Sequence, residues 1–312
     1  MLLFCGIPSE APLNMVIEAA ERLSIAYVLF NQREIHSSDI DLWVKDRRVD
    51  GTLTIHSRSW PLASFTGVYV RLMDYHDLPE NKQSGGQCLP DKLYKSAVFH
   101  EAFDEWLEMS RCHVLNRNSA MRSNQSKPYQ AQFIARAGFR IPATLITNDP
   151  DEVHRFLRLY KRVIYKSISS VRSIVQELTP ERLKDLWKIR HLPTQFQEFV
   201  PGTNIRVHVV ANEVFATEIH TEAIDYRYAE QEGVAVTLAP VELPKHIVSC
   251  CIDVSRMLAL PLCGIDLKRL ADGTYYCFEV NPSPAYSYYQ GYTGQPIAEA
   301  IVRLLHTETG VY

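Results

Sequence analysis

No apolar run in this 312-residue chain is long enough to cross a bilayer as a helix. The start, MLLFCGIPSE, has no basic residue and breaks at Pro8, so it lacks the form of a secretory signal. No two cysteines are spaced CxxC. The seven present (Cys5, Cys88, Cys112, Cys250, Cys251, Cys263 and Cys277) are an odd number, which argues against a disulfide framework and a zinc ribbon alike. Basic excess is missing too: the net charge of −3 gives no sign of a nucleic-acid-binding surface. There is no internal repeat, no low-complexity tract and no recognisable serine, cysteine or histidine triad. These absences leave a reduced, cytoplasmic, globular protein with no membrane segment.

At 312 residues the chain is too long for one small core and suits two or three subdomains. The first part alternates strand and helix: Leu2 to Cys5, a helix from Pro12 to Leu23, strands at Ala26 to Phe30 and Gly67 to Arg71. That pattern reads as a small open α/β sheet. A mobile loop is expected over Pro79 to Pro90, around Ser84-Gly85-Gly86, then an amphipathic helix from Tyr94 to Ser110 with Phe99, Phe103, Trp106 and Leu107 inward. A middle segment holds a helix from Pro128 to Ala137, strands at Thr144 to Thr147 and Arg162 to Ser167, and a helix opening at Asn148-Asp149-Pro150. From Thr194 the pattern is mostly β, interrupted by helices near Pro244 to Leu258 and Pro296 to Leu305. The expected units are 1–112, 113–192 and 193–312.

The stretch CGIDLKRLADGTYYCFEVN, Cys263 to Asn281, carries the most information. Asp272-Gly273 is a two-residue turn signal, because both tolerate positive φ. With that turn, Ala271 pairs with Thr274, Lys268 with Cys277 and Asp266 with Glu279. Alternation then puts Ile265, Leu267, Phe278 and Val280 on an apolar face, and Asp266, Lys268, Glu279 and Asn281 on the other. Two carboxylates directly opposite repel. A divalent cation between them reverses that, and hard oxygen donors with a neutral amide suit magnesium or manganese better than zinc. The hairpin alone equally fits a solvent-facing polar strand in which Lys268 neutralises the acids.

Other groups fit a nucleotide or have an ordinary structural explanation. Lys166 ends the strand Val163 to Lys166, where an ammonium calls for an anionic partner or snorkels to solvent. The serines of Ser167 to Ser170, with main-chain N–H groups, suit phosphate oxygens. Lys127 precedes a helix start, a place that favours anions rather than cations unless a phosphate is near. Phe196 to Pro201 alternates and then stops at Pro201-Gly202, leaving main-chain groups that can read an adenine edge or merely enter a turn. Arg206 and His208 share a face of Asn204 to Val210. Arg206 suits bidentate binding of a carboxylate or phosphate, or an ion pair with Glu218 or Glu222. Tyr286, Tyr288, Tyr289 and Tyr292 line a pocket or pack the last helix.

The order of these parts resembles the ATP-grasp superfamily: a lysine before a helix, a strand lysine, Glu198-Phe199-Val200-Pro201-Gly202, a strand arginine, then Asp266 and Glu279-Val280-Asn281-Pro282. Within it, the chain is most similar to RimK-type glutamate ligases and bacterial glutathione synthetases, over about Asn116 to Leu305. The resemblance implies an α/β ATP-grasp fold: an N-terminal open α/β domain, a small central subdomain and a C-terminal, mostly antiparallel one. It implies that Lys127 and Lys166 contact ATP phosphates, with Ser169 in the loop beyond, and that the backbone from Glu198 to Val200 holds adenine. Asn204 takes the ribose position, where many relatives carry Asp. Asp266, Glu279 and Asn281 become ligands of Mg2+, with Mn2+ as its substitute. Arg206 would stabilise the transferring phosphoryl group, with Arg227 from the opposite side. The loop after Lys166 has serines and Arg172 where the family usually has glycines.

The activity so implied is ATP-dependent activation of a carboxylate as an acyl phosphate for attack by an amine. The substrate is a small molecule or a peptide, and a homo-oligomer is compatible with the sequence. Two other readings share these parts: an ATP-grasp kinase acting on a hydroxyl, and a non-catalytic ATP-binding regulator.

Overall fold

The structure, a computed structural model, describes residues 1–45, 48–83, 89–166, 175–221 and 233–307. Leu2–Gly6 (β1) and Tyr27–Asn31 (β2) flank the helix Ala11–Arg22 (α1). A three-stranded antiparallel sheet follows, made of Ser38–Lys45 (β3), Arg48–Ile55 (β4) and Arg58–Pro61 (β5). Its signal in the sequence, left unassigned above, is the alternation of Ile40 and Leu42 on one strand and Leu53 and Ile55 on the next, all turned to one core. Gly67–Arg71 (β6), the helix Pro90–Met109 (α2) and His113–Leu115 (β7) complete the first part. Strands β2, β1, β6 and β7 lie in that order as a parallel sheet. β1 is buried along its whole length, as an inner parallel strand covered on both faces must be. Helix α2 starts four residues before Tyr94 because Pro90 fits the first turn, where a missing N–H is harmless.

The middle part holds helices Asn118–Met121 (α3) and Lys127–Arg136 (α4), then Thr144–Thr147 (β8), Pro150–Tyr160 (α5), Val163–Lys166 (β9), Gln176–Glu177 (β10), Pro180–Leu183 (α6) and Thr194–Glu198 (β11). Its antiparallel sheet runs β10-β9-β11-β8 over a small core of Val153, Val163, Leu178, Leu186 and Phe196. Asp149 caps α5 by accepting from the Asp151 N–H.

The last part is a five-stranded antiparallel sheet, β14-β13-β12-β15-β16. It is built from Thr203–Val210 (β12), Glu213–His220 (β13), Thr237–Pro240 (β14), Leu262–Arg269 (β15) and Tyr275–Asn281 (β16). Helices Lys245–Met257 (α7), Tyr286–Thr293 (α8) and Ile297–His306 (α9) accompany it. Period-2 alternation sorts its faces. Val207, Ile265, Leu267, Cys277 and Val280 pack on Ile134 of α4 and on Ile247, Cys251 and Val254 of α7. Arg206, Asp266 and Glu279 belong to the other face.

The β15–β16 hairpin agrees with expectation at the acids and departs from it near the turn. Asp266 is opposite Glu279, but Leu267 is opposite Cys277 and Lys268 opposite Tyr276. The turn has three residues rather than two. Leu270 and Thr274 close it, and Gly273 takes a positive φ of 82°. A bulge beside Asp266 and Leu267 absorbs the extra residue, Phe278, and restores the pairing of the acids. Cys277, rather than Phe278, therefore faces the core.

Helix α9 returns to the first sheet. Ile297, Ile301, Leu304 and Leu305 are buried together with Leu2, Phe4, Leu13 and Val16. The contact is close enough that a Cβ on Gly67 of β6 would come within 2.3 Å of the Leu305 carbonyl oxygen. Backbone cannot yield as a flexible side chain does. Gly67→Ala is therefore expected to lose about 1–3 kcal/mol in urea unfolding, and an unchanged midpoint would refute this packing account.

Candidate active site

The cleft centres on Asp266 and Glu279, cross-strand neighbours on β15 and β16. Each carries a cation of the chain. The Arg206 Nη1 lies 2.7 Å from Asp266 Oδ1, and the Lys127 Nζ lies 2.5 Å from Glu279 Oε2. Arg206 comes from β12, directly opposite Asp266 in the ladder. Lys127 comes from the first turn of α4, where Ser126 caps the helix by accepting from the Tyr129 N–H. The poor placement of a lysine at a helix start is thus offset by an acid from another strand. The Arg206 side chain is 7 % exposed and those of Asp266 and Glu279 are 25 % and 21 % exposed, so these ion pairs are only partly screened by water. Asn281 lies two residues beyond Glu279, and its Oδ1 accepts from the Ser283 N–H.

Gly264 makes room for this arrangement. A Cβ there would meet the Arg206 Nη2 at 2.0 Å. The sequence signal was available, since glycine inside a strand marks a close approach. Beside Arg206, His208 is fully buried and packs against Tyr289, their ring centroids 4.9 Å apart. Burial, and then the Arg206 charge, hold its imidazole well below the ordinary range, so it is neutral. Glu218, one of the two acids considered for Arg206, instead binds Arg269 at 2.8 Å and His220 at 3.1 Å, and Glu222, the second, lies outside the described residues. Among the described residues no group of three or more His, Cys, Asp or Glu side chains is placed to hold a metal. The donor set at the cleft is two carboxylates and an amide. Its hard oxygens, and the fact that each acid already requires a positive charge beside it, fit a magnesium-type cation.

A second group marks the other end of the cleft. Lys268 does not neutralise the acids; its Nζ donates to the Val200 carbonyl at 3.0 Å. Burial, then Arg162, lowers its pKa. Arg162 and Lys268 both lie over the Phe199 ring, 3.7 and 5.3 Å from its centre. Glu198 accepts from the Ala143 N–H at 3.0 Å, fixing the strand exit to the segment before β8. Asn204 is opposite Lys268 in the ladder and lines a cavity of about 480 Å3 with Gly202, Thr203 and His220. Lys166 ends β9, opposite Gln195. Ser169, Arg172 and Arg227 lie outside the described residues. The structure thus brings Lys127, Arg206, Asp266 and Glu279 into direct contact, with Asn281 next along the strand. Lys268 and Gly264 are the participants that the sequence reading did not assign to the cleft in these roles.

Comparison with known proteins identifies the fold and the family. A probable alpha-L-glutamate ligase of Halorhodospira halophila is 25% identical over 225 residues, which are 68% of this chain and 72% of that protein. A Chryseobacterium gregarium RiPP-associated ATP-grasp ligase, solved with ADP and a leader and core peptide, superposes with a TM-score of 0.79 at 21% identity, covering 97% of this chain and 96% of that one. The ATP-grasp ligase PsnB, solved with a phosphomimetic precursor variant, Mg and ADP, gives 0.75 at 22% identity, covering 97% and 98%. These likenesses establish the ATP-grasp fold. The family model of the RimK-like ATP-grasp domain matches residues 124–305, more than half of the sequence, and so the chain belongs to the RimK-like ATP-grasp family of carboxylate–amine ligases.

Proposed function

We propose that this chain is an ADP-forming ligase that joins a carboxylate to an amine, with a peptide supplying at least one of them. The carrying observation is the opposed Asp266–Glu279 pair, each acid held by a cation that a phosphate can also attract. In the reaction a carboxylate oxygen takes the γ-phosphoryl group as ADP leaves. The amine nitrogen then attacks the acyl carbon, the C–O bond to phosphate breaks and the amine loses a proton. Asp266, Glu279 and Asn281 would hold Mg2+, or Mn2+ in its place. That ion supplies neutralisation of phosphate oxygens when bound.

The chain's own residues position and neutralise. Lys127 and Arg206 would turn from the acids to phosphate oxygens, Lys166 would approach them from β9, and Arg206 would meet charge that grows during transfer. The backbone at Glu198 to Val200 would hold the adenine, with Asn204 at the ribose and Lys268 bracing the Val200 carbonyl. Ser169 and Arg227 are assigned by the resemblance alone. Covalent catalysis is not needed. His208 is buried and neutral, and burial pushes the Cys263 thiol up to about 12. The peptide substrate is supported by the near-complete overlap with ligases solved with precursor peptides.

Incubation with ATP, Mg2+ and a mixture of amino acids and peptides tests the reaction. Mass spectrometry is expected to find a peptide-containing product one water lighter than its parts, with ADP released in step. A stable phosphorylated product without any amine would favour a hydroxyl kinase, and tight ATP binding without turnover a regulator. Glu279→Gln is expected to lower ATP turnover on the order of 100-fold with an unchanged circular dichroism spectrum, and normal turnover would overturn the metal assignment. Lys127→Met removes the cation that competes for Glu279. Its nucleotide-free Mn2+ affinity, read by electron paramagnetic resonance, is expected to rise roughly tenfold while ATP affinity falls; unchanged Mn2+ affinity would refute that competition.

A further inference from the structure

β16 is the outer strand of its sheet, so one row of its main-chain groups meets no neighbouring strand. Its ladder is also interrupted where the cleft begins. The bulge beside Asp266 and Leu267 leaves Phe278 without an opposite residue, and bulges disrupt pairing locally. Glu279, Val280 and Asn281 follow at once. They pair with Asp266, Ile265 and Gly264 on their inner side only, so their outer side needs a further restraint if two ligands are to point the same way.

Gln130 of α4 supplies it. Its side chain is buried, with the residue 1 % exposed. Nε2 donates to the Val280 carbonyl at 2.7 Å, and Oε1 accepts from the Val280 N–H at 2.8 Å. A primary amide presents a donor and an acceptor side by side, as a neighbouring peptide group would, so Gln130 stands in for the missing strand. The Val280 side chain is meanwhile fully buried against α4 and α7. The backbone between the two ligands is therefore held on its edge and by its side chain. Lys127, one turn earlier on the same helix, reaches Glu279 itself. Further along the edge, the Arg140 carbonyl accepts from the Cys277 N–H at 2.9 Å, and Asn116 donates to the Pro282 carbonyl at 2.6 Å.

The geometry points to Gln130 as a positioning residue for the metal site: its amide fixes the rotation of β16 about its own axis and so aims Glu279 and Asn281 together. This rests on the reading of those two residues as metal ligands. The lever is rotational, because both side chains leave the strand on the face opposite Val280. A misplacement of about 1 Å in such a site is enough to lose roughly 100-fold in rate.

Gln130→Met keeps the volume and removes both hydrogen bonds. The full-length variant is compared with wild type, with Glu279→Gln, and with Gln132→Met, a change at an exposed position on the same helix. Three readouts are taken: Mn2+ binding by electron paramagnetic resonance, hydrogen exchange of the peptide containing Val280, and thermal unfolding. For Gln130→Met, Mn2+ affinity is expected to fall on the order of tenfold or more and exchange at Val280 to quicken, while Gln132→Met changes neither. Faster exchange with wild-type Mn2+ affinity would make Gln130 a strut of the fold only and overturn the proposal. Wild-type exchange would overturn it as well. If Glu279→Gln also keeps wild-type Mn2+ affinity, the ligand reading itself fails, an outcome distinct from failure of the Gln130 role. Should Gln130→Met not fold, Gln130→Glu serves instead. It keeps an acceptor for the Val280 N–H and loses the donor to the carbonyl, with the same loss of Mn2+ affinity expected and the same outcomes overturning it.

Discussion

Two carboxylates set side by side on neighbouring strands repel, and the cleft is organised around that repulsion. Asp266 and Glu279 are tolerated because Arg206 and Lys127 each bring a positive charge. The two cations come from different parts of the chain, one from a strand of the same sheet and one from a helix laid along its edge. The Lys127–Glu279 pair therefore fastens α4 to the sheet, and under the proposed function the two acids hold the cation. Gly264 belongs to the same constraint, since the guanidinium can reach Asp266 only where no side chain stands in its way.

β15 connects the two ends of the cleft. Asp266 stands at the end assigned to phosphate under the proposed function, and Lys268, two residues on, reaches Val200 at the end assigned to the base. The bulge falls between them. The two ends therefore share a strand whose ladder to β12 is continuous and whose ladder to β16 is broken between them. Phe199, with Arg162 and Lys268 both over its ring, ties that end to the central sheet.

Much of the fold was legible because its signals are local. Strand Gly67 to Arg71 and strand Thr144 to Thr147 have the bounds that the sequence suggests. The acids were placed opposite each other by a turn one residue too short, and the bulge at Phe278 cancelled that offset. A three-residue turn and a two-residue turn look alike when both end in Asp-Gly, so the compensation was not visible in the sequence. The destinations of Lys268 and Gln130 were hidden for another reason. A long polar side chain has no periodicity that names its partner, and both partners are main-chain groups far away in sequence. The ATP-grasp reading came from the order of several weak signals, none of which identified the cleft alone.

Helix α9 lies against β6 and α1, completing the core of the first sheet with residues that follow every strand of the protein described here. During synthesis, then, the earliest strands have an unfinished apolar face until the latest helix emerges. Docking of α9 is a long-range step, closing a loop of more than two hundred residues, since it joins Gly67 to Leu305. The N-terminal sheet is thus made well before the helix that seals it. Its waiting surface is the place where a nascent chain of this kind would most need protection from aggregation.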